Sequence, residues 1–376
     1  MNRSCFRCSC LLTISLILVG LVSSPAAGES FVYVNNNGFA NAISAFQVNS
    51  DGTLTAVPGS PFLTGGSGGL CFDVGSTKTI HPHGGFLYAT NYLSGSVSGF
   101  SVGKDGSLTP VPGSPFLTSP GGNPVGVASA SNANFLFVGR NFFPPGAGID
   151  VYQINSDGSL TLVPGSPFGV AQEAGFDVLF DGRRKNIISD VNDNHVSVFN
   201  VTGTGALIPI PGSPFTTPTG NNHKIALGPQ GSCLYVAGGG DPRVSAMQVA
   251  GDGTLTNAPG SPVVTGQGLV IGAATTQQGN FAYFAGFPSI TGFSINNSCQ
   301  LTPVPGSPFS SGGISPAGVT TEGNGKFLFA SNTDTLSVSS FRIAPDGSLT
   351  LADTAPLGGS ALCPTGLSAF PVIVGP

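Results

Sequence analysis

A twelve-residue segment, Asp-Gly-Thr-Leu-Thr-Ala-Val-Pro-Gly-Ser-Pro-Phe at Asp51–Phe62, recurs along the whole chain. Copies stand at Asp105–Phe116, Asp157–Phe168, Gly205–Phe215, Asp252–Val263, Gln300–Phe309 and, much altered, Asp346–Gly358. Aligned on their leucine (Leu54, Leu108, Leu160, Leu207, Leu255, Leu301, Leu349) they are 54, 52, 47, 48, 46 and 48 residues apart. A period near fifty marks a chain built from one repeated supersecondary unit, in which each unit buries its apolar face only against its neighbours.

Ahead of each signature lie two apolar stretches. The first has the form Phe86-Leu-Tyr-Ala-Thr-Asn91 or Cys233-Leu-Tyr-Val-Ala237, and the second the form Val97-Ser-Gly-Phe-Ser-Val102 or Val338-Ser-Ser-Phe-Arg-Ile343. β-Branched and aromatic residues at period two, bounded by Gly, Asn and Asp, predict strands. A Gly- and Ala-rich stretch such as Pro124-Val-Gly-Val-Ala128 comes before both and suits a crowded innermost strand. With the strand around the signature leucine, each unit has four strands, and no helical period appears after position 30. Asp-Gly reads as a tight hairpin turn and Pro-Gly as the centre of a type II turn, while the second proline is expected to end the outer strand. The signature phenylalanine is expected to pack between units.

After an N-terminal leader the chain starts on a second-strand pattern, Phe31–Asn35, and it finishes on an unpaired inner-strand pattern, Pro364–Ala369. The two are expected to complete one unit together. The prediction is an all-β fold, a seven-bladed β-propeller of four-stranded blades spanning residues 29–376, closed by a C-terminal strand joining the first blade. Residues 1–28 read as a signal peptide: Arg3 and Arg7, the apolar run Leu11–Val22, and small residues at Ala26 and Gly28 before an expected cleavage near Gly28–Glu29. The run is too short for an ordinary transmembrane helix, so the mature chain is expected to be secreted, periplasmic or held at the cell surface, as a monomer.

Only 8% of residues are charged, against about 25% in ordinary soluble domains, so any gathering of charge is informative. The net charge of −5 and the lack of a basic stripe argue against nucleic acid as a partner. Aligning the inner strands gives one column with Thr77, Gly126, Asp177, Lys224, Gly272, Gly318 and Gly366. Asp177 and Lys224 fall on neighbouring units, His223 adjoins the column, and Arg140 and Asn91 end second strands that reach the same face. We therefore expect one mouth of the channel to carry a site, with Asp177 and His223 as catalytic candidates and Lys224, Arg140, Thr77 and Asn91 as ligand-binding ones. A salt bridge that only satisfies polar groups is the competing explanation for the Asp–Lys pair.

Other motifs carry less. Gly65–Gly69 has nucleophile-elbow spacing without the helix the elbow needs. His81-Pro-His83 falls on a hairpin and lacks a third ligand for zinc. Asp190–Asn194 lacks the Glu and spacing of a calcium loop. No metal or cofactor is expected. Past the leader, Cys71, Cys233, Cys299 and Cys363 permit disulfides in an exported chain without fixing a pairing. Cys71 with Cys363 is the pairing favoured by position, and buried free thiols are the alternative.

The Leu-Tyr-Val-Ala/Thr-Asn and Val-Ser-x-Phe-x-Val strands and the Asp-Gly-x-Leu-Thr turn resemble the lactonase-like seven-bladed propellers, which include propeller-type 6-phosphogluconolactonases, and the related YVTN-repeat proteins. The resemblance covers residues 31–370. It implies a site built at the starts of inner strands, where family enzymes place His and Arg. His223 matches such a start, whereas Gly175-Phe176-Asp177 in the preceding unit has no His. Two functions stay open: an exported propeller that binds a sugar, a lactone or a cell-envelope partner, and a lactone hydrolase in which His223 activates water and Lys224 or Arg140 stabilises the oxyanion.

Overall fold

The computed structural model describes residues 29–69, 80–130, 133–141, 147–169, 177–191, 194–220, 222–239, 241–359, 361, 364 and 366–371. Seven antiparallel sheets follow one another along the chain. Blade 1 combines Ser30–Asn35, Ala42–Val48 and Leu54–Ala56 with Gly366–Pro371 from the far end of the chain. Blade 2 starts at Ile80–His83, blade 3 at Asn123–Ser129, blade 4 at Val178–Asp181, blade 5 at Asn222–Leu227, blade 6 at Leu269–Thr275 and blade 7 at Pro316–Thr321. Each of these is an innermost strand, and three further strands follow it outward. Among the described residues the one helical element is a short 3-10 turn, Pro229–Gly231.

The expected closure is present. Gly366–Pro371 pairs antiparallel with Ser30–Asn35, from Asn35 opposite Gly366 to Ser30 opposite Pro371. Outer elements of blades 7 and 1 are tied as well. Asp353 accepts the Leu54 N–H at 2.9 Å, and Arg342 donates to the Asp51 carbonyl at 2.6 Å while lying over the Phe327 ring.

The signature does not end the outer strand as expected; it interrupts it. In blade 1 Leu54–Ala56 pairs with Phe46–Val48, the chain then loops out through Pro58 and Gly59, and Phe62–Leu63 returns to pair with Ala42–Ile43. The opening in the ladder is filled from within the loop. The Val57 N–H donates to the Ala45 carbonyl, and the Ser60 hydroxyl accepts the Ala45 N–H at 2.9 Å. The same serine contact recurs from Ser114, Ser166, Ser213, Ser261 and Ser307, so no buried backbone donor is orphaned there. The repeated Ser-Pro bonds are cis, which single-sequence reading did not anticipate. The signature phenylalanines Phe62, Phe116, Phe168 and Phe215 pack as expected, partly buried against clusters shared by adjacent blades.

The other repeated residues bind each blade to the next. The Tyr33 hydroxyl of blade 1 donates to the Gly106 carbonyl in the outer hairpin of blade 2 at 3.0 Å, and Tyr88 and Tyr283 reach Gly158 and Gly347 at 2.8 Å. Burial raises the pKa of all three phenols, which keeps them as donors. Blade 7 has Phe329 in the tyrosine's place, and the hydroxyl comes instead from Ser340, directly opposite it, which bonds the Gly52 carbonyl of blade 1. The hairpin glycines hold positive φ. A Cβ on Gly158 would also lie 2.5 Å from the Phe86 ring of the preceding blade, so turn and neighbour both demand glycine.

Blades 5 and 6 carry a covalent tie, a disulfide between Cys233 and Cys299 with Cα atoms 5.4 Å apart. The Cys71–Cys363 pairing favoured by position lies outside the described residues. Closing a 66-residue span restricts the unfolded chain, so Cys299→Ser, with Cys233→Ser to avoid a stray thiol, is expected to lower unfolding stability by about 2–4 kcal/mol. Urea denaturation of the double variant checks this, and an unchanged midpoint would show that the bond adds no net stability.

Candidate functional site

The inner-strand column expected to carry the site sits at a recurring irregularity. Register shifts by one residue between Pro124 and Gly126, Asn222 and Lys224, and Val270 and Gly272. Such bulges turn a strand locally and re-aim its side chains. His223 occupies the bulge of blade 5, where the equivalent Val125 and Ile271 are buried. Its side chain lies outside the described residues, as does the whole of Thr77.

Asp177 and Lys224 are brought together as expected, with Lys224 Nζ 3.9 Å from Asp177 Oδ2. Both side chains are fully buried. Asp177 Oδ1 accepts its neighbour's Val178 N–H at 2.9 Å, and Oδ2 accepts the Ile225 N–H of blade 5 at 3.2 Å. The carboxylate thus caps one inner strand and ties it to the next.

Arg140 joins a different pair. Its Nε is 3.4 Å from Asp150 Oδ2 on the adjoining strand of blade 3, with neither side chain exposed. Its Nη2 donates to the Ser119 and Pro120 carbonyls at 2.6 and 3.0 Å. Asp150 in turn accepts the Ser119 N–H and hydroxyl at 2.9 and 2.6 Å. Sequence reading overlooked Asp150, although an aspartate inside the Gly-Ile-Asp-Val-Tyr strand, where an uncharged side chain would suffice, was the available signal. Asn91 is equally engaged: its Oδ1 accepts from Asn41 and Thr64 and its Nδ2 donates to Ser96 and Ser98. The expected cluster is therefore two buried ion pairs and a saturated amide network. As described, Asp177, Lys224, Arg140 and Asn91 present no open surface to a ligand.

The open space lies further along the channel, toward the strand ends. A cavity of about 460 Å³ is walled by blades 2 to 7 through small and apolar residues such as Ala128, Ala226 and Ala273, with Ser129, Thr275, Thr320 and Thr321 among them. Its described lining holds no Asp, Glu, Lys or Arg. Inter-blade bonds fix part of this wall: Ser129 donates to the Pro82 carbonyl, Thr275 to Leu227 and Thr321 to Thr275. His81 and Gln277 complete the polar lining. His81, read from sequence as an incidental hairpin residue, stands on the innermost strand of blade 2 and faces the cavity. Two residues on, His83 is half-buried, and desolvation lowers its pKa against the opposing effect of a hydrogen bond with Asn134. Among the described residues no group of three His, Cys, Asp or Glu side chains is arranged to hold a metal ion.

A family model described as "Lactonase, 7-bladed beta-propeller" matches residues 71–365. No curated protein matches the chain. Among solved structures, a Lactobacillus plantarum protein superposes with a TM-score of 0.73 at 14% identity, covering 91% of this chain and 99% of its own. A candidate 6-phosphogluconolactonase from Bacteroides fragilis gives 0.72 at 17%, covering 92% and 99%. The periplasmic gluconolactonase of Pseudomonas aeruginosa gives 0.65 at 17%, covering 91% and 98%. At such identities these likenesses speak to the fold.

Proposed function

Because the chain belongs to the seven-bladed β-propeller lactonase family, we propose that it binds a small, neutral, polyhydroxylated molecule, a sugar or its lactone, in the central channel. The observation that carries this reading is the cavity of about 460 Å³ with hydroxyl, amide and imidazole groups set among small apolar residues and no charge in its described lining. A pocket of that size and make-up suits a monosaccharide, whose apolar ring faces pack on Ala and Val while its hydroxyls exchange hydrogen bonds with the wall. Export fits the same reading. The leader in residues 1–28 directs it, and the Cys233–Cys299 disulfide is of the kind that persists in oxidising compartments. Among the described residues no helix is long and apolar enough to cross a membrane.

His81 supports a second reading, hydrolysis of the bound lactone. An imidazole in the cavity wall is placed to take a proton from water as the oxygen attacks the lactone carbonyl carbon; the ring C–O bond then breaks and the proton passes to the departing alkoxide, leaving a hydroxy acid. His223, the candidate implied by the family resemblance, would act from the strand-start side.

Calorimetry and pH-stat titration with glucono-1,5-lactone and glucose separate the readings. Saturable heat without acid release above the spontaneous rate is the result expected of a binding propeller. Acid release that saturates with lactone and is lost in His81→Gln establishes the hydrolase. Neither heat nor acid with either compound would retire the channel as the site.

A further inference from the structure

The channel does not end at its neutral wall. A second cavity of about 320 Å³ has Leu227, Thr275 and Gln277 in common with the first and is lined by residues of blades 4 to 6. Its chemistry differs. Asp181, Arg183 and Gln230 line it, at the hairpin Asp181-Gly-Arg-Arg-Lys185, which holds three of the chain's twelve basic residues.

The charges of this hairpin do not cancel. Arg184 donates through Nη1 to Asp181 Oδ2 at 2.6 Å and to the Gly231 carbonyl at 2.8 Å, and through Nε to the Ala250 carbonyl at 2.6 Å. It is therefore a fixed brace between blades 4 and 5, and Asp252 of the next hairpin is close enough to feel its charge. Arg183 is different. Its main-chain N–H caps Asp181 Oδ1 at 3.0 Å, but its side chain is exposed and has no acceptor or carboxylate partner among the described residues. Arg183, Arg184 and Lys185 against Asp181 and Asp252 leave one cation in excess, on a chain of net charge −5.

We infer that this side lobe is an anion subsite, with Arg183 receiving a single carboxylate of a ligand whose neutral polyhydroxylated body lies in the channel. The inference rests on the channel reading above and adds to it: where the polyhydroxylated body carries a carboxylate, as in an open-chain sugar acid, it is held more tightly than the corresponding polyol. One guanidinium presents a planar fork that matches one carboxylate, and Leu227, Thr275 and Gln277, which line both cavities, set the two side by side.

The test is calorimetric titration of the full chain with sodium gluconate, sorbitol and inorganic phosphate, and of Arg183→Gln with the same three. Gluconate is expected to bind roughly 10- to 100-fold more tightly than sorbitol, the range of one charge-assisted hydrogen-bonded contact, and the preference is expected to fall with added salt. In Arg183→Gln the two affinities converge while sorbitol binding and the melting temperature stay unchanged, since the side chain is exposed and braces nothing. Equal binding of gluconate and sorbitol by the native protein overturns the subsite and leaves the channel reading standing. Phosphate binding as tightly as gluconate, and through Arg183, overturns the carboxylate assignment. No binding of either gluconate or sorbitol overturns the subsite and the channel reading together.

Discussion

A chain lacking residues 360–376 is expected to lose several kcal/mol of stability, out of the 5–15 kcal/mol typical of folded domains, and to expose apolar surface. The deletion removes the strand Gly366–Pro371 and with it the whole pairing along Ser30–Asn35. The inner edge of blade 1 then faces the channel bare, with the backbone groups of a strand whose side chains Val32, Tyr33 and Val34 are fully buried. Unpaired edges of this kind also recruit other molecules. The outer ties between blades 7 and 1, through Asp353 and Arg342, remain, so a compact but loosened ring is expected rather than a random coil. Thermal melting with dye binding and size-exclusion chromatography measures this. A truncated protein that melts cooperatively at the parent temperature and stays monomeric would show that ring closure does not depend on that strand.

Replacing Asp150 by Ala is expected to cost about 3–5 kcal/mol, the range for removing one partner from a buried ion pair. Arg140 would stay fully buried with its charge uncompensated, its Nη1 already without an acceptor among the described residues, and Ser119 would lose both of its bonds to the carboxylate. The double variant Asp150→Ala, Arg140→Met removes the stranded charge and should recover a large part of the loss, giving a coupling energy well above that of an exposed pair. Urea unfolding at constant m-value reads these differences. A single-variant cost under about 1 kcal/mol would mean that water reaches the pair.

The ring was legible because its causes are local and repeated. Seven leucines at nearly constant spacing, period-two strands and Asp-Gly turns each encode one step of the blade, and the second-strand start at Phe31 encoded the closure. The detour within the outer strand was not legible, since a proline reads as a stop whether or not the chain returns to its partner. The site was read less well for a related reason. Asp177 and Lys224 do meet, but burial decides what a meeting does, and burial belongs to three dimensions. Arg140 was grouped with them by column, whereas its true partner stands on the neighbouring strand of its own blade. The cavity was hardest to foresee, because Ala128, Ala226 and Ala273 announce an opening only by what they fail to fill. His81 was weighed only as half of a zinc pair on a hairpin, because its place on the innermost strand of blade 2, against the cavity, depends on where that strand begins.

The hydroxyls of Tyr33, Tyr88 and Tyr283, reaching from one blade into the next, make those hairpins part of their predecessors' packing. A change in one such turn is therefore felt by a strand some seventy residues earlier (Tyr33 and Gly106 are 73 apart), and in blade 7 the bond is made from another place, by Ser340 opposite the phenylalanine that stands where the tyrosine would be. Moving a single blade out of the ring would break both of its junctions and carry neither of them with it. The smallest piece of this chain that keeps such a bond whole is therefore a pair of neighbouring blades rather than a blade taken singly.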